Sequence, residues 1–426
     1  MFANVFLILC AYYLVKPLRE GWIAVSDIQG LSKMEVKAYS SFGQSIILLF
    51  IVALYARFSE RLPRQKLIVR STIFCISNLI IFWVLQPNFF IEYLPGTGIA
   101  FYLWVGMFGV FVVAQFWAFA ADLYTDRQGR RLMPMIAVGA TAGAATGAWF
   151  DTFVVHSHMF GTKSLLLLAT IPLAASAILT SLADAHGPTG QGCEPKEVCV
   201  PKAADGARKG GIRLVLTSRF LLPVAIITLL FSWVNTNGEN LLFRVLQEFI
   251  GQEAELKGIT DGRLLMEYTR DITTAFYGKF FFWTNILTLL LQSLVVSRLL
   301  KYGGFATLLL FLPVVAMLSY ATMAFIPVLL IVKWMKIAEN STDYSINNTA
   351  RNVLWLPTTS EMKFKAKPVI DTLFVRCGDG LAALTVLVGV QLLSLGTNMF
   401  FAFNVFLVLI WIAGAIVVIR EHKQIS

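Results

Sequence analysis

Apolar runs of roughly twenty residues, the length that crosses a bilayer as a helix, recur along this chain with short polar stretches between them. Lipid offers no partner to a backbone amide or carbonyl, so spans of this kind are helices whose hydrogen bonds close within the segment. Twelve are expected, at 2–25, 38–56, 67–86, 97–120, 132–154, 164–183, 214–240, 272–297, 304–320, 324–340, 367–393 and 398–419. Hydrophobic residues make up 57% of the 426 and charged residues 14%. A soluble domain is nearer half apolar and roughly a quarter charged, so the surplus has to be taken up by lipid. The first run reads as a span and not as a cleavable leader, because Lys16 and Arg19 follow it and no small-residue cleavage site does. The expectation is an all-α integral membrane protein.

Lys and Arg set the orientation. With both termini in the cytoplasm, the inner loops hold twenty of them and the outer loops six: Lys33, Lys37, Lys163, Lys257, Arg263 and Arg270. The net charge of +10 therefore lies in short loops between spans, which argues against a nucleic-acid partner. The stretch 184–213 is rich in Gly, Pro, Lys and Ala and reads as a flexible cytoplasmic linker. It divides the chain into halves at 1–183 and 214–426. The halves echo each other: Thr125–Ile136 (TDRQGRRLMPMI) and Thr359–Ile370 (TSEMKFKAKPVI) align Thr, a basic residue (Arg131 and Lys365), Pro134 with Pro368, and Ile. Two parallel six-helix repeats joined inside the cell resemble the major facilitator architecture.

Ionisable groups at membrane depth are costly, so each is a candidate for function. Span one holds Lys16, Arg19 and Glu20 in LVKPLREGW, and Pro17 is expected to break or kink it. Snorkelling of Lys16 and Arg19 to an interface is the plainer alternative. Span seven ends in WVNTNGENLLFR, with Glu239 and Arg244, and must face a cavity or leave the bilayer there. Span eight carries Lys279, Trp283 and Asn285. In span eleven, Arg376 and Asp379 are three apart and can pair on one helix face. Lys333 and Lys336 read as snorkelling from the inner end of span ten. Gly139, Gly143 and Gly147 in span five have the spacing that lets two helices approach closely. If the buried cations converge on a central passage, the solute is an anion, since arginine's planar fork suits phosphate and carboxylate.

No phosphate-binding GxxxxGK[ST] loop and no HExxH occurs. His156 and His158 make a weak metal pair, and Cys193 and Cys199 are too far apart for a CxxC site. No metal, cofactor or enzymatic activity is expected. A lipid-modifying enzyme would need a nucleophile–base or metal set at workable spacing, and none is evident.

LWLPTTSEMKFKAKPVID (354–371) resembles the segment before span eleven of the ATP/ADP antiporters, the nucleotide transporters of intracellular bacteria and plastids. The family pattern, close to IPLDEELKxKGKAAID, runs from Leu356 to Asp371 without a gap. Residues 276–315 resemble the family's span eight to nine region through Phe276, Gly278, Phe280, Trp283, Thr284, Arg298, Gly303 and Pro313-Val314-Val315. Ser218-Arg219-Phe220 opens span seven as the family's SRY does, and Phe116-Trp117 and Arg131 match more loosely. The resemblance implies a twelve-helix carrier of major-facilitator type that exchanges ATP for ADP, in a bacterial inner membrane or plastid envelope. It puts Arg19 where the span-one family lysine would be and Glu239 near the span-seven acidic position. Two positions depart: the span-eleven family lysine falls on Asp379, and the span-four glutamate falls near Val105.

Together these readings give a secondary transporter working by alternating access, a monomer in a bacterial inner membrane, with a nucleotide-like anion as solute. Lys16, Arg19, Arg244, Lys279 and Arg376 would attract the solute, with Asn285 beside them; Glu239 and Asp379 would gate by ion pairing or carry a proton. A different organic anion is the alternative solute. A non-transporting membrane interaction or sensor protein on the same fold is the alternative class.

Overall fold

The computed structural model describes residues 1–59, 64–89, 96–124, 126–157, 162, 164–185 and 211–425, and every regular element among them is helical. Most of the linker (186–210), with Cys193 and Cys199, lies outside the described residues, as do His158, Lys163 and the side chains of Arg131 and His156.

The first half is α1 (Phe2–Ala24), α2 (Lys33–Ser59), α3 (Arg64–Phe89), α4 (Thr97–Leu123), α5 (Asp126–Ser157) and α6 (Ser164–Ala185). The second half opens with the short α7 (Gly211–Thr217) and continues as α8 (Leu221–Leu256), α9 (Gly262–Leu290), α10 (Val296–Phe325), α11 (Leu329–Thr342), α12 (Asn348–Leu354), α13 (Lys367–Val369), α14 (Val375–Leu387) and α15 (Thr397–Ile425). Turns of π-helix join several of these into longer rods: Leu291–Val295 between α9 and α10, Asp343–Asn347 between α11 and α12, and three between Met362 and Leu392. A helix covers most or all of each of the twelve expected segments, in two six-helix halves, and among the described residues eight helical stretches are long and apolar enough to cross a membrane.

Helix ends correct the sequence reading in physically informative ways. Span seven does not stop at 240: α8 runs 36 residues through the polar turn, because apolar residues resume at Leu241-Leu242-Phe243 and bury that stretch. Pro17 does not break α1, which continues across it to Ala24; proline's missing donor is tolerated where packing encloses the helix. A kink does interrupt α10, at Gly304, between the spans expected at 272–297 and 304–320: φ there is 67° and ψ −170°, a conformation essentially confined to glycine. Span ten extends from α11 through a π turn to Leu354. Lys336 is therefore in mid-span and fully buried, not snorkelling at an inner end.

Each half has its own apolar core. That of the first gathers Val5, Ile8, Leu79, Phe101, Phe108 and Leu165. That of the second gathers Leu242, Phe280, Leu312, Tyr320, Phe401 and Trp411, and reaches into the first half through Tyr13, Ala144 and Ala148. α1 lies along α5 as the glycine spacing requires. A Cβ at Gly143 would overlap the backbone of Phe6, one at Gly147 the carbonyl of Cys10, and one at Gly139 the ring of Phe2.

The halves meet along two seams, α9 against α5 and α1, and α2 against α14 and α8. The bonds described across them belong to one end and the middle of the bundle. Thr162 donates to Asp271 (2.6 Å), Gln391 to Glu35 (2.8 Å), and Arg376 to Ser45 (3.0 Å).

Candidate functional site

α1 is the axis of the site. Lys16, Arg19 and Glu20 lie within little more than one turn of it, on the side that meets the second half. The Lys16 ammonium is 4.0 Å from the centroid of the Phe281 ring, 4.8 Å from Tyr13 and 5.7 Å from Tyr12. Such a cation–π cage holds a positive charge without neutralising it. The Arg19 guanidinium lies 4.4 Å from the centroid of the Tyr102 ring, and its Nε donates to Glu20 Oε1 (3.1 Å). The other Glu20 oxygen takes Lys37 of α2 at 2.9 Å. Lys37 also donates to the Tyr277 hydroxyl on α9 (3.1 Å), so the network crosses from one half to the other.

The second half contributes Glu239, at the middle of α8. Its carboxylate accepts from Asn340 (2.8 Å) and lies 3.8 Å from Lys336. Lys336 is held by Glu339 at 2.9 Å, and Glu339 accepts from Tyr320 (3.0 Å). Glu239 is within electrostatic reach of Lys16. Although mid-helix in a packed bundle, its side chain is 27% exposed, and Arg19 keeps 12%. Both side chains thus keep some exposed surface within the bundle. Asn285 is buried beside them, donating to Phe281 O (2.7 Å) and reaching Tyr13.

Other candidates lie apart. Arg376 and Asp379 pair at 2.9 Å, as their spacing predicts. Asp379 further accepts from Ser45, Ser232 and Thr236 at 2.7–2.9 Å. Because Ser45 belongs to α2, this group ties the α2–α14 seam together. Arg244 does not join the centre. It pairs with Glu248 (2.9 Å) and bonds Leu395 O (3.3 Å), bordering a cavity of about 450 Å3 shared with Ser32, Lys33, Gln247 and Ser394. Lys279 lies on an exposed face of α9, close enough to Lys333 of α11 for their charges to interact.

Sequence reasoning missed three members. Lys37 was assigned to an outer loop, yet it lies one turn inside α2 and is 3% exposed. Lys336 and Glu339 form a buried ion pair that one-residue-at-a-time reading does not find. Their spacing of three within KIAEN was the available signal. Among the described residues no group of three or more His, Cys, Asp or Glu is close enough to hold a metal ion.

No family model matches the chain, and no curated protein matches it in sequence. Solved structures do match its fold. A bacterial homologue of the human lysosomal transporter Spinster, inward-facing and unoccupied, superposes at a TM-score of 0.61 and 12% identity over 99% of this chain and 98% of that one. An auto-inhibited POT-family peptide transporter gives 0.64 and 11% over 97% and 95%. The nucleoside transporter NupG gives 0.58 and 11% over 96% and 97%. The chain has the major facilitator fold. That fold sets two six-helix halves face to face, and Lys16, Arg19, Glu20, Lys37 and Glu239 lie near where they meet.

Proposed function

We propose that this protein is a secondary transporter that carries a small anionic solute by alternating access. The observation that carries the reading is the network of charged groups where the halves meet, drawn from both, in which Arg19 and Glu239 stay partly exposed. Buried charge is costly unless it is used, and a network that changes partners as helices slide is how one half senses the other. Arg19 and Lys16 are the solute-facing cations. Glu20 holds Arg19 in place while Lys37 and Tyr277 link the halves. Glu239 takes Lys336 when no solute competes, and the Arg376–Asp379–Ser45 group acts as a latch on the second seam.

The leading solute is a nucleotide exchanged across a bacterial inner membrane. The match of 354–371 to the ATP/ADP antiporters supports this, as do the tyrosine and phenylalanine rings around Lys16, against which a base can stack. With both termini in the cytoplasm, the bonded end of the seams faces outward and the passage opens to the cytoplasm. A different organic anion is the second reading, favoured by Asp379 at the position of a family lysine.

Purified protein in liposomes tests both. Labelled ATP or ADP entering only when nucleotide is trapped inside is the predicted result. Uptake of another anion under the same protocol selects the second reading, and absence of any flux, with a protein partner retained on purification, selects a non-transporting role.

A further inference from the structure

α5 carries a carboxyl that neither the central network nor the latch uses. Asp151 is wholly buried, and among the described residues neither of its oxygens has a hydrogen-bond partner. It lies one turn beyond Gly147, where α5 presses on α1, and its Oδ2 is turned toward α9: a Cβ on Gly278 would overlap that oxygen. Glycine at 278 lets α9 approach closely enough to cover the carboxyl. Asp151 therefore lies inside the α5–α9 seam, between the halves.

The charged groups on the two helices packed against α5 are engaged elsewhere. On α1, Lys16 faces the rings of Phe281 and Tyr13, and Arg19 and Glu20 bond each other. On α9, Arg270 pairs with Asp271, Tyr277 accepts from Lys37, and Lys279 is exposed. The adjoining Thr152 hydroxyl donates to Ala148 O.

An ionised carboxylate withdrawn from water without donor or counter-ion is among the costliest groups to bury, and such sites hold the neutral acid instead. A metal ion would need a shell of several oxygens, and the neighbours described here do not supply one. We propose that Asp151 is a proton-binding site in the seam between the halves, protonated while α5 and α9 are closed together and deprotonated when they part and water enters. Only an O–H bond changes: the acid gives its proton to water when the helices part, and the carboxylate takes one back from hydronium before they close. The coupling of that proton to solute movement rests on the carrier reading; the site does not.

Infrared difference spectra of the full chain in lipid, taken over a pH series, read the carbonyl stretch of protonated carboxylic acids. Wild type is expected to hold one such band more than Asp151→Asn, and Gly278→Ala, which crowds Oδ2, should shift it. Identical carboxyl bands in wild type and both variants across the series overturn the proposal, as does a band that sodium displaces at constant pH. In proteoliposomes with a pH-sensitive dye inside, the ratio of protons to solute entering should fall close to zero in Asp151→Asn. An unchanged nonzero ratio overturns it. The infrared band without flux of any solute supports the proton site while counting against the carrier reading.

Discussion

Arg19→Ala is expected to abolish solute exchange, lowering the initial rate in proteoliposomes at least about a hundredfold, the equivalent of nearly 3 kcal/mol. Three effects add in one direction. The guanidinium that faces the passage is lost, and with it the fork suited to phosphate or carboxylate oxygens. Glu20 Oε1 loses the donor at 3.1 Å. The stacking on Tyr102 disappears. Removing one partner of a buried pair costs about 3–5 kcal/mol because the other charge is left exposed to low dielectric. Glu20 keeps Lys37 at 2.9 Å, so the structural part should fall at the low end. Arg19→Lys keeps the charge without the fork and should retain a small fraction of the rate. A thermal-shift series with nucleotides and organic anions gives the matching binding readout: the best wild-type ligand should no longer stabilise Arg19→Ala. An unchanged shift and an unchanged rate would remove Arg19 from the site.

Gly147→Val should have the largest effect on folding. At Gly147 a Cβ overlaps the carbonyl oxygen of Cys10, and at Gly143 the backbone of Phe6. Both obstacles are main chain on a neighbouring helix, so no side-chain rotation relieves them. Overpacking a well-filled site costs about 1–3 kcal/mol, and a backbone clash belongs at or above the top of that range. Moving α1 away from α5 also displaces Lys16 and Arg19, so transport should fall together with the melting temperature of the purified protein. Gly43→Ala, where nothing lies within 4 Å of the added atom, is the control and should melt as wild type does. A Gly147→Val protein that melts like wild type would mean that α1 and α5 do not approach as described.

What the sequence discloses follows from the range of the interaction involved. Spans are local: twenty apolar residues are their own evidence, and all twelve were legible, as was the glycine seam of α5. The Arg376–Asp379 pair was also legible, because residues three apart on a helix must be neighbours. Ends of spans were read less well wherever a polar patch lies mid-helix, as at Asn235–Asn240 in α8, since a window average cannot tell an inward-facing turn from an exit. Long-range pairing was hidden. Nothing near Lys37 announces Glu20 on α1 or Tyr277 on α9, so Lys37 read as one more loop cation. Asp151 went unnoticed for the same reason: its isolation depends on Gly278, far along the chain. The chemistry of a single helix is written locally, whereas a site shared between two halves exists only once they are packed.

In the proposed cycle the halves rock about the Lys16–Arg19–Glu239 region, opening and closing the α5–α9 seam. Thr162 and Asp271 are bonded across that seam at 2.6 Å. A short bis-methanethiosulfonate, whose two ends each form a disulfide by displacing a sulfinate, joining Thr162→Cys to Asp271→Cys, with the five native cysteines replaced by serine, should stop exchange almost completely, while each single variant treated alike continues to transport. A cross-linked protein that exchanges solute at the rate of its untreated control would contradict the account.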